Sequence, residues 1–225
     1  MATRRANRVA GACAIAGSVL LFIGTYLHPM SADPNDPLAA FAEYAADHLW
    51  VASHLTQLAG VALMMVALLF LAQELEGGRS ASWARVGAAG AIAGLAIAAA
   101  LQAVDGVALK VMVNAWAAAP PAQKEGAFQA AFAVRQIEAG LAAMVSMSLG
   151  ITATIYGVAL ALEHRRWLGI LGIVGGVPTA IAGVVIAYTG FSEAAMDINM
   201  PANSLLLIWM IVVGIYLWRP GSAAA

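Results

Sequence analysis

The sequence predicts an all-α fold: one integral membrane domain over residues 1–225, a bundle of six transmembrane helices. Three observations carry the prediction. Of the 225 residues, 62% are hydrophobic and 10% charged, against roughly 45–50% and about 25% in soluble proteins. Mean hydropathy is +0.84, more apolar surface than a soluble chain of this length can hide. The apolar residues fall into six runs approaching the roughly 20 residues that span a bilayer. The alternating ten-residue segments of an outer-membrane barrel are absent.

The first span is expected over residues 9–27. It is longer than the apolar core of a signal peptide, about 7–15 residues, and reads as a retained helix. Pro29, Pro34 and Pro37 then break the helix, and residues 39–47 have the composition of a short surface helix. The second span covers 49–71, and QELEGGRSAS forms the turn after it. The third covers 83–104; Asp105-Gly106 either ends or kinks it, or it runs on to Ala118. Pro120-Pro121 stops it in both cases, and AQKEG reads as a polar turn. The fourth span, 137–162, belongs to a helical stretch from Phe128 and is closed by EHRRW. The fifth covers 168–188, with Pro178 as an expected kink. The stretch TGFSEAAMDINMPAN reads as a loop before the sixth span, 204–218.

Basic residues orient the bundle. Arg4, Arg5, Arg8, Arg79, Arg85, Arg165, Arg166 and Arg219 fall at one end, and only Lys110, Lys124 and Arg135 at the other. A multi-pass protein of the cytoplasmic (inner) membrane with both termini cytoplasmic is therefore expected. No basic tract suggests nucleic acid. The bilayer is the expected partner, and the oligomeric state is left open. The single cysteine, Cys13, excludes an internal disulfide and any multi-cysteine metal site.

An internal repeat is visible. RVAGACAIAG from Arg8 matches RVGAAGAIAG from Arg85 at most positions, and RWLGILGIVG from Arg166 is a looser copy. Each opens an odd-numbered span, as three repeated helical hairpins would. Ala/Gly-rich composition after an arginine anchor gives the same pattern. Gly90 with Gly94, and Gly172 with Gly176, have the spacing of close helix packing.

The polar groups converge on one level. Counted at about 1.5 Å per residue, the pairs His54/Gln57, Gln102/Asp105 and Arg135/Glu138 all lie near the extracytoplasmic edge of the hydrocarbon. Each pair is three residues apart and shares a helical face. Ionisable groups at such depth face protein or a wet cavity. One reading is a structural clamp, with Arg135 paired to Glu138 and Asp105, and His54 and Gln57 satisfying the rest. A second is a ligand pocket for a small amphiphile, floored by Met64, Met65, Met144 and Met147. The alternative is a metal- or haem-dependent membrane enzyme. His28, His48 and His54, with Asp105 or Glu138, supply ligand types for a metal, and two histidines on different helices suit a haem. A proton- or ion-coupled carrier is the further alternative, though the last two spans hold almost no ionisable groups. No nucleophile, phosphate-loop or dinucleotide motif is present. A non-enzymatic role without cofactor is favoured, and no catalytic residue is assigned.

The run RQIEAGL from Arg135 to Leu141, with its small-residue helix, resembles the Arg-x-Ile-Glu-Gly segment of a bacterial integral-membrane family known only as a domain of unknown function. The opening RVAG before an apolar span is similar too. The resemblance implies a helical bundle in which Arg135 and Glu138 matter, and implies no chemistry. The histidines and VDGVALK, residues 104–110, have no counterpart in it.

Overall fold

A chain in hydrocarbon must satisfy its backbone hydrogen bonds internally, and a helix does so within one segment. The computed structural model describes residues 2–218, with side chains from Arg5 onward. Arg219, and the side chain of Arg4, counted above among the basic residues, lie outside them. Eight α-helices are present: α1 (Ala2–Leu27), α2 (Pro37–Ala46), α3 (Trp50–Leu75), α4 (Ala81–Gln102), α5 (Lys110–Ala118), α6 (Pro121–Leu162), α7 (Arg166–Thr189) and α8 (Glu193–Trp218). A π-helical segment, Ala103–Leu109, joins α4 to α5 without a break. Six helices are long and apolar enough to cross a membrane, with α4, the π-segment and α5 counting as one. The protein is an all-α, six-span membrane bundle.

The spans form a closed ring in chain order. Each packs on its neighbours in sequence, and α8 returns to α1. Leu68, Leu71, Tyr156, Trp209, Val213 and Leu217 are buried in one shared core. Tyr156 donates its hydroxyl to the Leu68 carbonyl at 2.7 Å, and the Trp209 indole donates to the Leu168 carbonyl at 3.1 Å. Small residues set the helix spacing. A Cβ on Gly17 would lie 2.7 Å from the Gly60 carbonyl, and one on Gly150 would lie 2.4 Å from the Ala180 amide.

The three repeated segments share a burial pattern. Ala14, Ala91 and Gly172 are buried at one register position, and Gly17, Gly94 and Gly175 at another. Gly17 abuts Met64 of α3, Gly94 abuts Leu149 of α6, and Gly175 abuts Leu206 of α8. In each case the neighbour is on the next span.

Exposed aromatics mark two belts, as at membrane interfaces. Trp83, Trp167 and Trp218 lie at the end holding the chain termini, and Tyr26 and Tyr188 at the opposite, distal end. Trp167 and Tyr188 are 84% and 87% exposed. Twenty-one residues of α7 separate them, or about 31 Å, close to the roughly 30 Å of a hydrocarbon core.

Several helices outrun the apolar stretches. The 42 residues of α6 measure about 63 Å. The AQKEG stretch is therefore helix and not a turn, started by Pro121 at the first helical position, which costs no backbone hydrogen bond. Residues 193–203 are likewise helix. The Ser192 side chain accepts from the Ala195 amide at 3.2 Å, capping α8, and Pro201 lies inside it. The polar residues there mark exit from the hydrocarbon, not the end of the helix. Likewise α1 begins before residue 9, and α3 continues past residue 71.

Beyond the distal belt stands a small head of α2, α5 and the first turns of α6. Its core holds Phe41, Tyr44, Trp50, Leu109, Val113 and Ala131, with Trp116, Phe128 and Phe132 packed against it. Asp36 caps α2 by accepting from the Leu38 and Ala39 amides. Lys110 closes its other end, donating to the carbonyls of Tyr44, Ala45 and Asp47 at 2.6–3.0 Å. Lys124 treats α5 the same way, donating to Trp116 and Ala117 carbonyls.

Candidate functional site

The site is built where α1, α3 and the π-segment meet under α2. His54 is almost wholly buried on α3. Its Nδ1 lies 2.7 Å from the Trp50 carbonyl and 3.2 Å from Ser53 Oγ. A carbonyl only accepts, so Nδ1 carries a hydrogen. The other nitrogen, Nε2, lies 3.1 Å from Asp105 Oδ2. With Nδ1 protonated, Nε2 of the neutral ring is an acceptor facing an acceptor. Such a pair is stable only with a positive charge between the atoms, a proton or a metal ion.

His28, the first residue after α1, repeats the arrangement. Its Nδ1 lies 2.8 Å from the Pro29 carbonyl, which leaves the lone pair on Nε2. Burial, and then the neighbouring His54, hold its pKa below the ordinary histidine value. The two imidazole centroids are 5.0 Å apart. One ring nitrogen of His28, one of His54 and a carboxylate oxygen of Asp105 lie within 4.8 Å of one another. Ligands about 2.0–2.2 Å from a zinc-like ion stand roughly 3.3–3.5 Å apart in a tetrahedron. The His54–Asp105 separation nearly fits already, and His28 has about an ångström to close.

Asp105 owes its place to the π-segment. One extra residue in the turn re-aims the chain, and such bulges recur at functional sites. Gly106 permits the close approach, because a Cβ there would lie 2.6 Å from His54 Cβ. The Trp50 indole donates to the Asp105 carbonyl at 3.0 Å. The second carboxylate oxygen, Asp105 Oδ1, is buried with no hydrogen-bond partner. A buried orphan acceptor is costly and asks for an explanation. Trp50 joins the set together: its ring stands 4.8 Å from His28, 4.5 Å from His54 and 4.4 Å from Tyr44.

Arg135 and Glu138 form the expected ion pair on α6, and both are buried. The guanidinium lies over the Phe191 ring at 4.7 Å and the Tyr44 ring at 5.8 Å. Gly190, with φ of 62°, turns the chain toward Phe191. The clamp thus ties α6 to α2 and to the α7–α8 turn. It does not take in Asp105 as expected, since that carboxylate pairs with His54. Gln102 donates to Gln57 Oε1 at 3.2 Å, and Gln102 Oε1 is a second buried orphan.

Three further expectations are corrected. His48 is exposed and stands apart from the metal-type cluster, where Asp105 takes the third place. The methionines do not form one floor: Met64 and Met65 are core residues, Met147 packs against Gly183, and Met144 faces outward. Rings in contact, like those of His28 and His54, cannot stand on opposite faces of a porphyrin, so this pair does not suit a haem. Sequence reasoning missed Trp50, Tyr44 and Lys110. The signals were the aromatic-histidine run HLWVASH and the Asp-Gly inside an apolar helix.

Comparison with protein-family models, curated proteins and solved structures finds no match. The resemblance noted at Arg135–Leu141 and at the opening RVAG therefore rests on those residues alone.

Proposed function

We propose that this multi-pass membrane protein holds a divalent transition-metal ion through His28, His54 and Asp105. The observation that carries the reading is the convergence of a ring nitrogen of His28, a ring nitrogen of His54 and a carboxylate oxygen of Asp105 within 4.8 Å of one another, with the orphaned Asp105 Oδ1 beside them. Each histidine also binds a backbone carbonyl through Nδ1, the outer support usual for metal-bound imidazole. Two nitrogens and one carboxylate oxygen suit zinc or ferrous iron. Three protein ligands leave an open position, which is the pattern of reactive rather than structural sites. The Arg135–Glu138 clamp holds α2 over the centre. The arginine asymmetry supports cytoplasmic termini in an inner membrane, which would put the centre on the extracytoplasmic side.

The test is the metal content of protein purified in detergent without added chelator. About one equivalent of a zinc-class metal is expected. Asp105→Asn and His54→Ala should each remove it, and His48→Ala should leave it unchanged. Metal-free wild type that fails to take up zinc or cobalt would overturn the proposal, as would equal loading of wild type and Asp105→Asn.

A further inference from the structure

Resting on that metal reading, we infer that the open coordination position takes the phosphodiester of a lipid headgroup in the distal leaflet. Depth is the first argument. Tyr26, in the distal aromatic belt, stands two residues before His28. Asp105 lies 22 residues beyond Trp83 of the other belt, or about 33 Å along the helix. Since the hydrocarbon core is roughly 30 Å thick and the headgroup layers bring a bilayer to about 40–45 Å, the centre stands at headgroup level.

Charge is the second argument. A divalent ion with two neutral imidazoles and one carboxylate keeps one net positive charge. Arg135 and Glu138 are already paired with each other, and the nearby Glu43 carboxylate is engaged by the Ser31 and Ala32 amides. A partly buried charge needs a partner, and a phosphodiester is a monoanion with hard oxygen donors.

The third argument is the surround. Leu27 and Met30 flank His28 in the chain and are exposed, as are Leu49 just before α3, Leu55 beside His54 and Val107 on the π-segment. The chain around the three ligand residues thus turns apolar side chains to its surroundings. That suits a molecule with acyl chains better than a free ion from the water phase.

The experiment compares cobalt(II) binding by metal-free protein in two nanodiscs, one of phosphatidylcholine and one of digalactosyl diglyceride. Neither lipid carries net charge, so surface accumulation of the ion does not differ. Binding about tenfold tighter in phosphatidylcholine is expected. The bound cobalt should also shorten 31P relaxation of the headgroups, an effect lost in His54→Ala and in Asp105→Asn. Dimethyl phosphate added to the glycolipid discs separates the sources. Restoration only at high millimolar levels supports a lipid-borne phosphate, and restoration at micromolar levels overturns it in favour of a soluble one. Stoichiometric cobalt with equal affinity in both discs and no 31P effect would sink the inference and leave the metal reading standing. No cobalt binding in either disc would remove both.

Discussion

At the residue scale, ionisable side chains meet in two ways at the distal end. Arg135 and Glu138, three residues apart, satisfy each other within one helix, a pairing legible from spacing alone. His54 and Asp105 meet from different elements, and depth counting brought them to one level without saying that they touch. What hid the contact is separation along the chain: Gln102 and Asp105 address one face of α3, meeting Gln57 and His54, but local periodicity does not say which neighbouring helix a face meets. His28 was legible as a candidate ligand at the end of the first span, but its contact with His54 was not, because nothing in the sequence reports how the chain leaves α1. For the clamp, Arg135→Ala would leave a buried carboxylate uncompensated at a cost of about 3–5 kcal/mol. Replacing Glu138 by alanine as well should cost less than the sum of the single changes. A stability cycle in detergent measures this, and strict additivity would show that the pair is not coupled.

At the element scale, the ends of helices were the least legible feature, and the reason is solvent. Hydropathy reports where the chain leaves the hydrocarbon, but α6 and α8 continue as helices through AQKEG and through residues 193–203. Short α2 was foreseen near its true bounds from composition, with Pro37 read as a breaker where it is the first helical residue, yet its burial was not. Phe41 and Tyr44 pack into the head, and Lys110 reaches three carbonyls at its C-terminal end. An ammonium there complements the helix dipole as well as the unpaired carbonyls. Lys110→Met keeps the stem and removes all three bonds. Hydrogen exchange should then speed up by about tenfold or more across residues 37–46, with α7 unchanged. Unaltered protection of α2 would mean that the aromatic contacts alone hold it.

At the scale of the whole molecule, class and span number were plain from composition, and the closed ring was not. Six spans joined in order can close or stay open. The choice rests on glycine contacts such as Gly11 with Gly214, where a Cβ would stand 2.7 Å from the facing carbonyl. Two residues in contact across 203 positions leave no trace in local pattern. The repeat is more visible in the structure than in the letters, because matching glycines meet the following span in all three hairpins. The proposed orientation rests on the arginine count and is open to direct test. Single cysteines at Asn35 and Ser192, in a Cys13→Ala background, should react with an impermeant maleimide in intact cells. One at Gly78 should react only after lysis. The opposite pattern would turn the metal-type cluster toward the cytoplasm.

The two aromatic belts also make the protein a gauge of bilayer thickness. Their spacing of about 31 Å matches one class of membrane, and mismatch costs fractions of a kcal/mol per ångström. In a much thicker bilayer the distal belt would sink, drawing His28 and Asp105 below the headgroups. A centre with unbalanced charge would then lie in hydrocarbon, deprived of both water and phosphate. If the proposed ion is bound there, acyl-chain length alone would therefore tune how firmly it is held, with no change to any of the residues proposed to hold it.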